Sequence, residues 1–293
     1  GAGLEAVLYG KAVHVHGVTD FFSDHVFDCG QAFRWKQGEK GYTAVVDSKV
    51  IRASYDTEKQ ILVLENCSLD DYYGFWRNYF DLDRDYGQVK KDLSSDPVMK
   101  EAVAYGWGMR VLNQDPWETL ISFIISANNN ITRIKGIIDK LSARFGKEIV
   151  WEGKSYYSFP TPESLAAADD SALKECGCGY RGRYIKNTAD MVARGLVSPY
   201  EIRELPYEEA HKEVQKFTGV GDKVADCILL YSMGKAEAFP VDVWVKRVME
   251  YFYIGHPVPI KEIKSIAAKQ FGRYAGLAQQ YLFYYAREKK IGK

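Results

Sequence analysis

The sequence predicts an α+β protein in two parts, an antiparallel β-sheet domain with helices over residues 4–112 and an all-helical domain over 113–293. Three observations carry this. Up to residue 66, apolar and polar residues alternate in short runs broken by Gly, Asp and Lys, the two-residue period of a half-buried sheet. From Asp115-Pro116 onward that period disappears and apolar residues recur at helical spacing. Within this second part, LPYEEAHKEVQKFTGVGDKVADCILLYSM at 205–233 places two helical patterns either side of Gly219-Val220-Gly221, a helix-hairpin-helix.

Taken in order, Gly1-Ala2-Gly3 reads as a cloning remnant. Strands are expected in AVHVHGV from Ala12, then in QAFRWKQ, YTAVVDSKVIRASYD and KQILVLEN. A helix is expected from about Leu69 to Phe80, with Ser68 as its N-cap and Asp70 and Asp71 in its first turn, where the helix dipole favours negative charge. In the second part WETLISFIISANNN, ITRIKGIIDKLSARFG, PESLAAADDSALKEC, RGRYIKNTADMVARGL, VKRVMEYF, IKEIKSIAAKQFG and GLAQQYLFYYAREKK read as helices punctuated by Gly, Pro and Asn. No fixed-period repeat appears, which excludes a solenoid.

Hydrophobic content of 46% with 14% aromatics places the chain among folded proteins, and 293 residues suffice for two domains. The sequence has no run of eighteen apolar residues and no charged-then-apolar leader, so neither a membrane protein nor a secreted one is expected. The five cysteines, Cys29, Cys67, Cys176, Cys178 and Cys227, are odd in number and scattered, which argues against a disulfide framework, and Cys176 and Cys178 are too close for a C-x-x-C metal knuckle. Net charge is zero, yet it runs from −4 over 1–112 through 0 over 113–202 to +4 over 203–293, which puts the positive field with the hairpin, as a one-sided nucleic-acid contact requires.

The hairpin carries the chemistry. Gly219 and Gly221 can adopt positive φ and bring backbone N–H groups, at the positive end of the second helix, against a phosphate, with Asp222 offering an N-cap oxygen. Lys223 opens that helix and Cys227 follows one turn later on the same face. A helix N-terminus disfavours a second positive charge, which favours the neutral, nucleophilic amine. Asp242, in the Pro240-Val241-Asp242 segment, returns an acid to the hairpin. Taken singly, these are an ordinary αα-hairpin, a solvated lysine and an N-cap; together they resemble the signature of the helix-hairpin-helix base-excision DNA glycosylases.

CGQAFRW at 29–35 and the sheet that holds it are similar to the N-terminal, TBP-like domain of the 8-oxoguanine DNA glycosylase/AP lyases, and the resemblance extends over nearly the whole chain. It implies that Lys223 attacks the sugar, that Asp242 stabilises the developing positive charge, and that double-stranded DNA containing 8-oxoguanine is the partner. Such an enzyme extrudes its target nucleotide and must fill the gap left behind. Gln279 and Phe283 lie four apart on one helical face, an amide beside a ring able to stack. The resemblance assigns them to the flipped base, opposite Cys227, and gives discrimination to the carbonyl of Gly30, which attracts the N7–H of 8-oxoguanine and repels the N7 lone pair of guanine. By spacing alone Asn128, Asn129 and Asn130 read as a polar turn and Tyr180-Arg181 as an exposed pair. The resemblance places Asn128 in the vacated stack, Tyr180 as a wedge, and Arg133 and Arg181 on the opposing cytosine, with Gly219, Val220 and Gly221 on the DNA backbone. Trp244 departs from the pattern, since relatives often carry a phosphate-contacting histidine there. With no cysteine after Cys227, the four-cysteine iron–sulfur loop of some superfamily members is not expected, and no metal or cofactor is called for. The expected enzyme is monomeric, acting in the cytoplasm on a bacterial or archaeal nucleoid or in a eukaryotic nucleus. Two rivals are an alkylated-base glycosylase, which needs neither Lys223 nor Gln279, and a non-catalytic DNA-binding module.

Overall fold

A computed structural model describes residues 3–293; residues 1 and 2, part of the expected cloning remnant, lie outside the described residues. The N-terminal part is a six-stranded antiparallel sheet of β1 (Glu5–Tyr9), β2 (Ala12–His16), β3 (Lys36–Gly38), β4 (Gly41–Val46), β5 (Lys49–Asp56) and β6 (Ile61–Glu65), in the order β1-β2-β6-β5-β4-β3. Register puts the apolar alternates opposite one another, Val13 with Leu64, Val15 with Leu62 and Ala44 with Ile51, so one face is continuous and buried. Phe21, Phe27, Trp35, Trp76 and Phe80 complete that core.

Local differences from the sequence reading have local causes. YTAVVDSKVIRASYD forms two strands because Asp47 and Ser48 take positive φ, at 51° and 61°, and turn the chain. Of QAFRWKQ, only its end enters a strand, since Gln31 spends its side chain on backbone groups of Val26, Arg110 and Leu112 at 2.7–3.0 Å. Ser68 caps its helix in a reciprocal box with Asp71, both bonds 3.0 Å, but the helix passes through a π-helical turn over Tyr72–Trp76.

The longer helices are α1 (Tyr86–Leu93) and α2 (Pro97–Tyr105) from before residue 113, and, in the second part, α3 (Pro116–Ser126), α4 (Ile131–Phe145), α5 (Arg181–Ala193), α6 (Tyr207–Val214), α7 (Asp222–Ser232), α8 (Val243–Met249), α9 (Ile260–Phe271) and α10 (Ala275–Lys289), with shorter helical turns between. The second part is not wholly helical, a correction to the all-helical expectation: β7 (Glu148–Trp151) and β8 (Lys154–Tyr157) form a hairpin whose turn uses positive φ at Glu152 (50°) and Gly153 (75°). The helical core surrounds α7 and α10 and also takes in Cys29, Phe33 and residues of α1 and α2, which precede position 112 in the chain. Cys29 and Phe33 thereby lock the loop at 28–31 onto the helical body. No helix among the described residues is long and apolar enough to cross a membrane.

Candidate active site and DNA face

The hairpin between α6 and α7 gives its two glycines different jobs. Gly219 has φ +92°, and a Cβ there would come within 3.0 Å of the Tyr184 ring, so the turn demands glycine. Gly221 has φ −102°, ordinary extended backbone, and only open space where a Cβ would stand. The expectation of positive φ therefore holds at Gly219 alone; Gly221 leaves the N-terminus of α7 unscreened. Val220 is buried between them.

Asp222 is not the cap of α7, as the sequence suggested. Gly221 is the N-cap residue, and no side chain caps this terminus, which leaves its N–H groups for an outside acceptor. Asp222 instead pairs with His211 Nε2 at 3.0 Å and Lys264 Nζ at 2.9 Å, and those bonds, His211 first, hold its carboxyl down at about 2. Beneath it, fully buried Asp226 takes Lys264 Nζ at 2.7 Å and the Tyr207 hydroxyl at 2.7 Å. The carboxylates and imidazole converge within 4.8 Å, and the Lys264 ammonium supplies the positive charge between them.

Lys223 is half-buried on the first turn of α7. Cys227 lies one turn on, 3% exposed, its thiol pushed up to about 11 by burial against the pull of the Lys223 charge. Asp242 is the N-cap of α8, its Oδ1 accepting from Val245 N at 2.8 Å. Burial holds its carboxyl above the ordinary range, opposed by that bond and by Lys223. Lys223, Cys227 and Asp242 thus share one electrostatic environment.

On α10, Gln279 is 3% exposed. Its Nε2 donates to the Pro240 carbonyl at 3.0 Å, two residues before Asp242, while Oε1 is buried and has no donor among the described residues. Phe283, one turn on, lies against Gly30, where φ is +82° and a Cβ would sit 3.0 Å from the ring. Arg287, a further turn on, stands 5.2 Å over Phe283 and donates to the Asp28 carbonyl at 2.9 Å. Sequence reasoning missed Arg287, although its spacing of four from Phe283 put it in the same stripe.

The expected gap-filling residues gather beside the hairpin. Asn128 turns the chain with φ +52° after α3, and Asn130 caps α4 by accepting from Arg133 N at 2.9 Å. Arg181 braces this turn: Nη2 donates to the Asn128 carbonyl at 3.0 Å and Nε to that of Ala127 at 3.1 Å. Its guanidinium also covers the ring of Tyr180, 4.4 Å away, which is 57% exposed. Arg133 is exposed. Tyr180 meets Tyr184 edge-on at 5.8 Å, and Tyr184 packs on Gly219, so Tyr180 and the hairpin form one surface. Trp244 carries the Arg247 guanidinium 5.0 Å over its ring.

The family described as 8-oxoguanine DNA glycosylase, N-terminal domain, matches residues 16–120, and the HhH-GPD superfamily of base excision DNA repair proteins matches 121–272. The chain belongs to the HhH-GPD superfamily. Its N-terminal part, over the matched residues 16–120, is that of the 8-oxoguanine DNA glycosylases. An N-glycosylase/DNA lyase of Saccharomyces cerevisiae is 31% identical over 92% of this chain and 83% of its own. A probable N-glycosylase/DNA lyase of Methanothermobacter thermautotrophicus is 34% identical over 61% of this chain, which spans 64% of that relative's length. The crystal structure of the Clostridium acetobutylicum 8-oxoguanine glycosylase/lyase, with double-stranded DNA containing cytosine opposite 8-oxoguanine, superposes with a TM-score of 0.94 at 43% identity over 98% of both chains. Among superfamily members this chain therefore has the two-part layout of sheet plus helical body from end to end.

Proposed function

We propose that the protein is a bifunctional DNA repair enzyme that excises 8-oxoguanine from duplex DNA, preferably opposite cytosine, and nicks the abasic strand, so initiating base excision repair. The observation that carries this is Gln279. Its buried Oε1 needs a donor, and it is held by Pro240 beside the acid Asp242, so a base that satisfies it lies within the reach of the catalytic groups. The Watson–Crick edge of a guanine-type base offers such donors. Phe283 stacks on that base, Cys227 closes the other face, and the Gly30 carbonyl accepts its N7–H.

Lys223 Nζ attacks C1′ through its lone pair; the bond from C1′ to the base nitrogen breaks and the base leaves with the electron pair and a proton taken up from Nζ. Asp242 stabilises the positive charge that builds on the sugar. The C1′–O4′ bond then opens, O4′ takes a proton, and a protonated imine joins Lys223 to C1′. Loss of a proton from C2′ expels the 3′ phosphate by β-elimination, and water returns the lysine. Gly219, Val220 and Gly221 grip a phosphate through the uncapped end of α7, while Asn128, Tyr180, Arg133 and Arg181 occupy the gap and face the opposing cytosine. One hairpin serves one duplex, so the protein acts as a monomer at the nucleoid or in the nucleus.

Duplexes carrying 8-oxoguanine, guanine, an alkylated purine or an abasic site test this reading by base release and strand cleavage. Cleavage of the 8-oxoguanine:cytosine and abasic duplexes with guanine spared is expected. Release of the alkylated purine with 8-oxoguanine untouched would refute it, as would binding without any release.

A further inference from the structure

We infer that Gln280 is a positioning residue that sets the Gly30 carbonyl for reading the damaged base, and that Tyr231 ties it to the helix bearing Lys223. This rests on the role given above to Gly30.

In the loop 28–31, three of the four consecutive carbonyls are held by side chains. Asp28 O accepts from Arg287 Nη2 at 2.9 Å, Cys29 O from Gln280 Nε2 at 2.7 Å, and Gln31 O from Gln114 Nε2 at 2.6 Å. Gly30 O alone has no donor among the described residues. A glycine at φ +82° has no Cβ to restrict it, so its peptide planes would swivel unless held from outside. They are held on both sides. The 29–30 plane is fixed by Gln280 and the 31–32 plane by Gln114, so the intervening 30–31 plane is held at both ends while its carbonyl has no donor among the described residues.

Gln280 suits this work because neither end of its amide is spare. It is fully buried, and its Oε1 accepts from the Tyr231 hydroxyl at 2.5 Å, so the amide nitrogen must face Cys29. Tyr231 lies two turns beyond Lys223 on α7, and its own carbonyl accepts the Gln114 backbone N–H at 2.9 Å. Both clamps on the loop are therefore anchored at one residue of the helix that presents the nucleophile. A carbonyl that must tell N7–H from a lone pair is sensitive to its direction, because hydrogen bonds weaken steeply with angle.

The test uses the full chain with Gln280→Leu and Tyr231→Phe, under single turnover, on 8-oxoguanine, guanine and abasic sites opposite cytosine. An abasic site has no base to read, so its cleavage reports the catalytic groups alone. Gln280→Leu is expected to slow 8-oxoguanine excision about tenfold, the worth of one hydrogen bond, with abasic cleavage changed less than about twofold. Tyr231→Phe, which keeps the ring packing, should move in the same direction by less, and decides the matter if Gln280→Leu melts early. Parallel loss on both substrates would show a merely structural glutamine and overturn the inference, as would no loss on either. A parent enzyme that excises guanine as fast as 8-oxoguanine would instead remove the role of Gly30 itself, a failure visible without any variant.

Discussion

Lys264→Met removes the one ammonium between Asp222 and Asp226, and the structure sets the size of the effect. Asp226 is fully buried, with Lys264 Nζ at 2.7 Å, the Tyr207 hydroxyl at 2.7 Å and Phe239 N at 3.3 Å. Removing one partner of a buried ion pair costs about 3–5 kcal/mol, because the other charge stays buried without compensation. Two donors remain to Asp226, and the Lys264 side chain is 20% exposed, so about 2–4 kcal/mol is expected. At about 2–4 °C per kcal/mol for a chain of this size, the melting temperature falls roughly 4–16 °C. The second change, Asp226→Asn, removes the stranded charge, so the double variant should recover most of the loss in urea denaturation. Lys264 sits on α9, Asp226 on α7 and His211 on α6, so the same variant loosens the helix that carries Lys223 and slows abasic-site cleavage. A Lys264→Met protein within about 0.5 kcal/mol of the parent would refute the claim that this cluster holds α7 in place.

Three further outcomes follow from the same geometry. Burial pushes the Glu118 carboxyl up to about 7 against the pull of Arg34, so the folded form keeps a proton that the unfolded form releases; stability falls as pH rises from about 4.5 to 7, and Glu118→Gln flattens that slope and gains up to about 3 kcal/mol at pH 8 in pH-resolved denaturation. Gly219→Ala, strained at φ +92° and crowded by Tyr184, should destabilise the fold by about 1–3 kcal/mol, whereas Gly221→Ala should melt like the parent yet bind duplex DNA more weakly in a filter or polarisation assay. Asp242→Asn keeps the cap on Val245 N, so its melting should shift by less than about 0.5 kcal/mol while base excision falls at least about a hundredfold, as loss of an electrostatic group in the reaction does.

Much of this architecture is written in local sequence. The alternation of AVHVHGV and ILVLE gave strands whose buried residues meet in register, and the Gln279, Phe283, Arg287 spacing marks one face of α10. What escaped reading was set by tertiary partners. Asp222 reads as a cap, but the helix begins one residue earlier than that reading requires, with Gly221 at the N-cap, and the Asp222 oxygens go to His211 and Lys264, both distant in sequence. The hairpin in EIVWEGKSYY is masked by the helical periods on either side of it, although Glu152-Gly153 is a turn signal between alternating residues. Spacing alone makes Arg181 one of an exposed pair; its bonds to Ala127 and Asn128 depend on a turn that comes into place only in the folded chain. Gln280, beside Gln279, gave no sign of its role, since the Cys29 carbonyl it holds is 251 residues away.

In the proposed reaction the Lys223 amine becomes covalently joined to the sugar. Parent and Lys223→Gln proteins, mixed with a duplex carrying 8-oxoguanine opposite cytosine and treated with borohydride, would be read by denaturing gel and intact mass. A reduced protein–DNA adduct is expected in the parent, mapped to Lys223, and none in the variant. Base release by the parent without any trapped adduct would mean that water is the nucleophile, and an adduct that persists in Lys223→Gln would place the chemistry on another amine.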